Sequence, residues 1–112
     1  MALENLLRAS LIEWLRADPL LGAINTIEEE APLAASAPWL GIAASASVDW
    51  GCKERAGCET RIALELATRD DRPAADAPVL AAITRRVLAL PPLQSGFEIA
   101  AIRFLRSRSE AR

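Results

Sequence analysis

Two stretches of alternation constrain this chain more than anything else in it. Between Trp39 and Val48, Leu40, Ile42, Ala44, Ala46 and Val48 fall on one face. Gly41, Ala43, Ser45 and Ser47 fall on the other. In the second stretch, 59–68, Thr60, Ile62, Leu64 and Leu66 point one way, and Glu59, Arg61, Ala63 and Glu65 the other. A period of two marks a strand, because successive side chains leave a pleated backbone on opposite sides. The small residues of the first stretch suit a closely covered surface. Between the two lies Asp49–Gly57, with glycines bracketing charged and reactive residues. The pair is therefore expected to form an antiparallel hairpin with a long tip.

Helical spacing flanks the hairpin. Leu3, Leu6, Leu7, Leu11, Trp14 and Leu15 recur every three or four residues, with Glu4, Arg8, Glu13 and Arg16 on other faces. This predicts an amphipathic helix. Asp18-Pro19 ends it, since the residue before proline avoids helical geometry. After a turn at Leu20–Ala23, a short strand is expected over Ile24–Glu29, closed by Pro32, with Leu33–Ala37 as a loop. Beyond the hairpin, Thr68–Ala75 is polar. Asp76 is the expected N-cap of a second helix, with Pro78 in its first turn and Leu80, Ile83, Val87 and Leu90 on its apolar face. Arg85 and Arg86 sit near its end, where cations suit the helix dipole. Pro91-Pro92 stops it. Gly96 precedes a final strand, Phe97–Arg106, whose facing is ambiguous: Phe97, Ile99, Ala101 and Leu105 compete with Ala100, Ile102 and Phe104. Residues 107–112 read as a polar, flexible tail.

The order is α-β-β-β-α-β in a single domain over residues 1–112. It predicts an α+β two-layer sandwich, with a mainly antiparallel sheet of about four strands and two helices on one face. A chain of 112 residues holds one modest core. An apolar fraction of 52% and a net charge of −2 exclude a disordered chain. No hydrophobic leader is visible in Met1–Ser10, and the uncharged run Ala31–Val48 carries two prolines with Ser and Gly, so no membrane span is expected. A soluble protein made in the cytosol follows.

Composition bears most on chemistry. There is no histidine, which removes the Ser–His–Asp and Cys–His arrangements and His-based zinc sites. Two cysteines alone cannot close a structural zinc site. Cys52 and Cys58 are expected as free thiols in a reducing cytosol, and Cys52 lacks the usual base for a nucleophile. Glu28, Glu29 and Glu30 offer carboxylates to a metal, but neighbours in a strand point apart, so a solvated strand end is the simpler account. Asp70-Asp71, beside Arg69, Arg72 and Pro73, fits a turn better than acid–base work. Arg103, Arg106, Arg108 and Arg112 form a basic cluster. With a pI near 5.2 and no interleaved aromatics, an edge meeting an acidic neighbour suits them better than dedicated DNA binding. No cofactor is expected.

Trp50 is either folded back on the core or presented to a partner. Charge is uneven as well: residues 1–60 carry net −5 and residues 61–112 net +3. That polarity is either scatter or a means for copies to stack on one another.

Five segments together resemble one family. They are Leu15-Arg16-Ala17-Asp18-Pro19-Leu20 closing the first helix, Pro38-Trp39-Leu40-Gly41 opening a strand, and Asp49-Trp50 before the charged loop. The strand through Thr60–Leu66 and the helix end Val87-Leu88-Ala89-Leu90-Pro91 complete the set. The pattern is similar to the small tail-completion, or tail-terminator, proteins of long-tailed phages and gene transfer agents. It covers nearly the whole chain and contains no catalytic signature. The resemblance implies a homohexameric ring at the head-proximal end of a tail, assembled in the bacterial cytoplasm. Such a ring caps the tail tube protein, offers a docking surface to the head–tail connector or stopper protein, and lets DNA pass transiently through its hole. Many relatives continue past the last strand with a turn and another strand, whereas this sequence ends at Arg112. That leaves the size of the sheet open.

On this reading Asp49, Trp50, Lys53, Glu54 and Arg55 are candidates for touching tube or connector. Glu28, Glu29, Glu30, Glu59, Arg61, Glu65, Arg103 and Arg106 are candidates for subunit contacts or the lumen, as is the sheet face bearing Ser45 and Ser47. A channel that passes DNA should be acidic or small-residued rather than densely basic. The alternatives are a head-to-tail stopper or tube component, a small enzyme using Glu or Asp with a metal, and an unrelated oligomeric interaction domain.

Overall fold

A computed structural model describes residues 2–30, 36–51, 54–69 and 73–108. It has mixed α and β content: two helices, a three-stranded sheet and a separate two-stranded sheet. Helix α1 (Ala2–Arg16) carries the expected apolar face, with Leu11, Ile12 and Leu15 buried. At Asp18 the side chain accepts a hydrogen bond from Leu20 N at 3.0 Å, capping a single 3-10 turn at Pro19–Leu21. That turn delivers Leu21 and Ile24 to the core.

Strand β1 (Thr26–Glu28) is shorter than the Ile24–Glu29 expected. It pairs with β2 (Trp39–Asp49) in parallel, Ile27 opposite Leu40. β2 pairs with β3 (Cys58–Ala67) in antiparallel fashion. The sheet is therefore mixed, where a mainly antiparallel sheet of about four strands was expected. A parallel neighbour normally needs a crossover of a dozen or more residues. Here β1 is only three residues long, roughly 10 Å, so the ten residues of 29–38 suffice to bring the chain back. Asn25 secures the return: its N donates to Pro38 O at 2.9 Å and its Nδ2 to Ala37 O at 3.1 Å. The Ala37–Pro38 bond is cis.

The hairpin is where expected, but its facing is not. The register of β2 against β3 shifts between Ile42 and Ala44, a bulge at Ala43. An extra residue reverses the alternation beyond it. Leu40 and Ile42 are buried, but from there inward positions pass to Ser45 and Ser47, while Ala44, Ala46 and Val48 are exposed. β3 has no such slip. Leu66, Leu64, Ile62 and Thr60 stand opposite Leu40, Ile42, Ser45 and Ser47 on the inner face, as their alternation foretells. Glu59, Arg61, Ala63 and Glu65 occupy the outer face.

Helix α2 (Pro73–Leu88) starts before the expected cap. Proline at the first position has no N–H to leave unpaired. Asp76 therefore lies in the first turn, where its Oδ2 accepts from Thr68 Oγ1 at 3.0 Å, and Pro78 falls in the second turn. Ile83 and Leu90 join the core, as their spacing implies. The largest departure follows. The expected strand Phe97–Arg106 shrinks to β5 (Phe97–Glu98), paired with β4 (Leu93–Gln94) in a small hairpin. Gly96 turns that hairpin at φ 93°, a conformation open to glycine at little cost. Residues 100–108 have no regular structure, and all are exposed.

One cluster of buried side chains unites Leu11, Ile12 and Leu15 of α1, Ile27, Leu40 and Ile42 of the sheet, and Ile83 and Leu90. No helix among the described residues is long and apolar enough to cross a membrane.

Candidate functional site

The hairpin tip is a built loop. Trp50 N donates to Gly57 O at 3.1 Å, and Gly51 N donates to Asp49 Oδ1 at 2.9 Å. A Cβ on Gly51 would sit 2.8 Å from both Arg55 O and Gly57 N, so the close approach there excludes a side chain. The Trp50 ring lies over Gly57, where a Cβ would be 3.1 Å from Cζ3. Yet Trp50 remains 60% exposed. The ring is therefore not folded back on the core: it packs on Gly57 of its own loop and is otherwise left to solvent. Arg55 reaches from the tip toward Glu98 of β5 at 3.9 Å. Glu54 is exposed. Lys53 and Cys52 lie outside the described residues, as do Asp70, Asp71, Arg72 and Arg112.

The acidic run splits between two arginines of α1. Glu28 Oε2 is 2.7 Å from Arg16 Nη2, and Arg16 Nε also donates to Ile27 O at 2.7 Å. Arg8 Nη2 donates to Glu29 O at 3.0 Å, with its Nε 3.9 Å from the Glu29 carboxylate. Glu30 is exposed. These half-exposed pairs contribute up to about 1 kcal/mol each, and they hold β1 against α1. Among the described residues, no three Cys, Asp or Glu side chains gather as metal ligands would.

Ser45 and Ser47, expected to face a lumen or neighbour together with Glu59 or Glu65, are instead turned toward α1. Ser45 Oγ donates to Glu4 Oε2 at 2.6 Å, and Ser47 Oγ donates to Glu4 Oε1 at 2.5 Å. Arg8 Nη1 donates to Ser45 Oγ at 2.7 Å. A hydroxyl has one hydrogen to give. Ser47 spends its own on Glu4, so Thr60 donates to Ser47 Oγ across 2.8 Å. The half-buried Cys58 then stands as donor to Thr60 Oγ1, 3.6 Å away. Every donor in this chain points toward one carboxylate. The hydroxyls of Ser45 and Ser47 hold Glu4 below its ordinary value of 4.5. A carboxylate so held is a poor proton acceptor at neutral pH. The group acts as a polar staple between α1 and the sheet, not as an activated nucleophile.

Outward, the sheet presents Ala44, Ala46 and Val48 opposite Ala63, Arg61 and Glu59. Glu59 and Arg61 approach to 3.8 Å. Arg103 and Arg106 fall on the segment after β5, with Ile102, Phe104 and Leu105 also exposed. The candidate contact residues thus belong to separate elements: the tip, the α1–β1 seam, the outer sheet face and the C-terminal segment.

Sequence reasoning missed a clasp between the helices. Arg86 Cζ lies 3.3 Å from the centroid of the Trp14 ring. Its Nε and Nη2 donate to Trp14 O at 2.9 and 2.7 Å, while Trp14 Nε1 donates to Arg86 O at 2.7 Å. Arg86 therefore serves more than the helix dipole. The two residues are 72 positions apart, and no local pattern links them. Comparison of the chain with known protein families, curated proteins and solved structures finds no match.

Proposed function

We propose that this chain is a structural subunit of a phage-like tail: a terminator that assembles as a homohexameric ring on the tail tube and receives the head connector. On this reading the subunit works as a two-layer α+β sandwich, and its task is assembly, without catalysis or a cofactor. The five segments of family resemblance support it. The observation that carries it is that five of the exposed large apolar side chains lie on surfaces free to meet other proteins. Val48, Trp50, Ile102, Phe104 and Leu105 sit on a sheet face, a hairpin tip and a C-terminal segment without strand pairing, while Leu6, Leu20, Leu88 and Leu93 are exposed elsewhere. Such surfaces suit contacts with other proteins.

In this assignment the tip, with Asp49, Trp50 and Arg55, meets the tube or connector. The outer sheet face, with its alanines and the mixed charges of Glu59, Arg61 and Glu65, faces the hole or a neighbour. A ring needs heterologous interfaces, one patch meeting a different patch on the next copy.

The test is made in particle-producing cells. Without the gene, tails should be abnormal in length and fail to join heads. The purified protein, imaged alone or on tube ends, should form a six-copy ring with a hole. Normal, head-joined tails in the deletion strain would refute the reading. Normal joining after loss of Lys53–Ala56 alone would remove the tip from it.

A further inference from the structure

The outer edge of β3 and the segment after β5 are each incomplete. The sheet order β1-β2-β3 leaves β3, ten residues long, with a partner on one side only among the described residues. A long open edge is a template for another strand. Its inner face is also under-covered. Leu40 and Ile42 of β2 are 1% and 4% exposed, yet their partners Leu66 and Leu64 are only half-buried, as is Ile62. The core thins toward the β3 edge.

Residues 100–107 make no backbone hydrogen bond to another described residue. Their sequence, Ala-Ala-Ile-Arg-Phe-Leu-Arg-Ser, sets two strand-favouring side chains, Ile102 and Phe104, at alternate positions. Arm and edge belong to one chain, where tethering gives a high effective concentration. They nevertheless stay apart within the single chain. Ile99 N is fixed to Pro92 O at 2.8 Å, and Ser107 lies beside Leu80, Thr84 and Leu88 of α2.

We propose that residues 100–107 add as a fourth strand to the open β3 edge of a second copy of this chain. Alternation groups Ile102, Phe104 and Arg106 on one face and Ala101, Arg103 and Leu105 on the other. With Ile102 and Phe104 inward, the arm extends the half-covered stripe of Ile62 and Leu64, and an antiparallel register sets Arg106 beside the polar Thr60. Arg103 then stands on the outer face, where β3 carries the charged side chains of Glu59, Arg61 and Glu65. The opposite facing would press Arg103 onto Ile62 and Leu64, an unpaired charge on apolar surface. The contact is heterologous, arm to edge, and such contacts close into rings when the rotation permits. The number of copies rests on the ring reading above. The contact itself rests on the edge and the arm.

The test uses the full chain, a chain ending at Ile99, and the double variant Ile102→Glu with Phe104→Glu. Mass in solution is measured over a wide concentration range, with hydrogen exchange on each species. The full chain is expected to self-associate, with slowed exchange in both 100–107 and β3. Both variants are expected to lose the oligomer and run as single chains with unchanged circular dichroism. Persistence of the oligomer in both variants would overturn the arm contact and leave the ring reading standing. A monomeric full chain would also overturn it, whether its arm exchanges fast or is protected on its own β3.

Discussion

The two halves of the β2–β3 ribbon lie under the same helix and are held by opposite means. At the base, Leu40 and Ile42 are buried among Leu11, Leu15 and Ile83. Toward the tip, beyond the bulge at Ala43, Ser45, Ser47 and Thr60 take the equivalent positions and are tied to Glu4 by hydrogen bonds. Apolar burial is strong and non-directional. A hydroxyl–carboxylate network is directional, and it is satisfied in one register only. The base therefore carries stability, and the tip half fixes how the hairpin sits.

That contrast can be broken at either end. Leu40→Ala should have the largest effect, costing about 2–5 kcal/mol in a denaturant titration, because a side chain 1% exposed leaves a cavity. Loss of only a few tenths would show that the base is not the stable half. Ser45→Ala combined with Ser47→Ala should come next, at about 1–3 kcal/mol. Both hydroxyls that bind Glu4 are then gone, and the network to that carboxylate disappears. Arg86→Ala should cost about 1–2 kcal/mol by removing the ring contact and the hydrogen bonds to Trp14 O. Because that clasp joins the helices, the Glu4 network should survive it.

The smallest effect is one of pH. Glu4 titrates below its ordinary value when folded, so its contribution is fully present above 4.5. It is lost as pH falls from there through the lowered folded value. Glu4→Gln should flatten the fall in urea midpoint across that window while changing little at neutral pH. The double serine variant should share the flattened profile, because those two hydroxyls are the main cause of the lowered value, and Leu40→Ala should not. An unchanged profile in Glu4→Gln would remove the network from the account.

Regular, local signals were legible. The leucines of α1 and the alternation of β3 are spaced so that only one periodicity fits. β2 was legible as a strand, but its bulge was not. Ala43 and Ala44 fit either face, and two serines read naturally as solvent-facing when the Glu4 that binds them lies 41 residues earlier. The parallel pairing of β1 depends on Asn25 and Pro38, again a non-local match. The segment from Ala100 onward has a strand's alternation in Ile102 and Phe104 but no strand partner among the described residues, and strand character is realised only by pairing. Of the candidate site, the tip was visible from its glycines and charges. The Trp14–Arg86 clasp was hidden because each residue already had a local explanation.

The three tryptophans occupy unlike surroundings. Trp14 is stacked beneath a guanidinium, Trp39 is half-buried beside Ala67, and Trp50 lies over Gly57 with its other side in water. The protein thus carries its own optical reporters, each tied to a different part of the fold. Trp50 should emit at long wavelength and be readily quenched by iodide. A partner that covers the hairpin tip would shift that emission to the blue and shield it from quencher, while Trp14 would report only on whether the two helices remain joined.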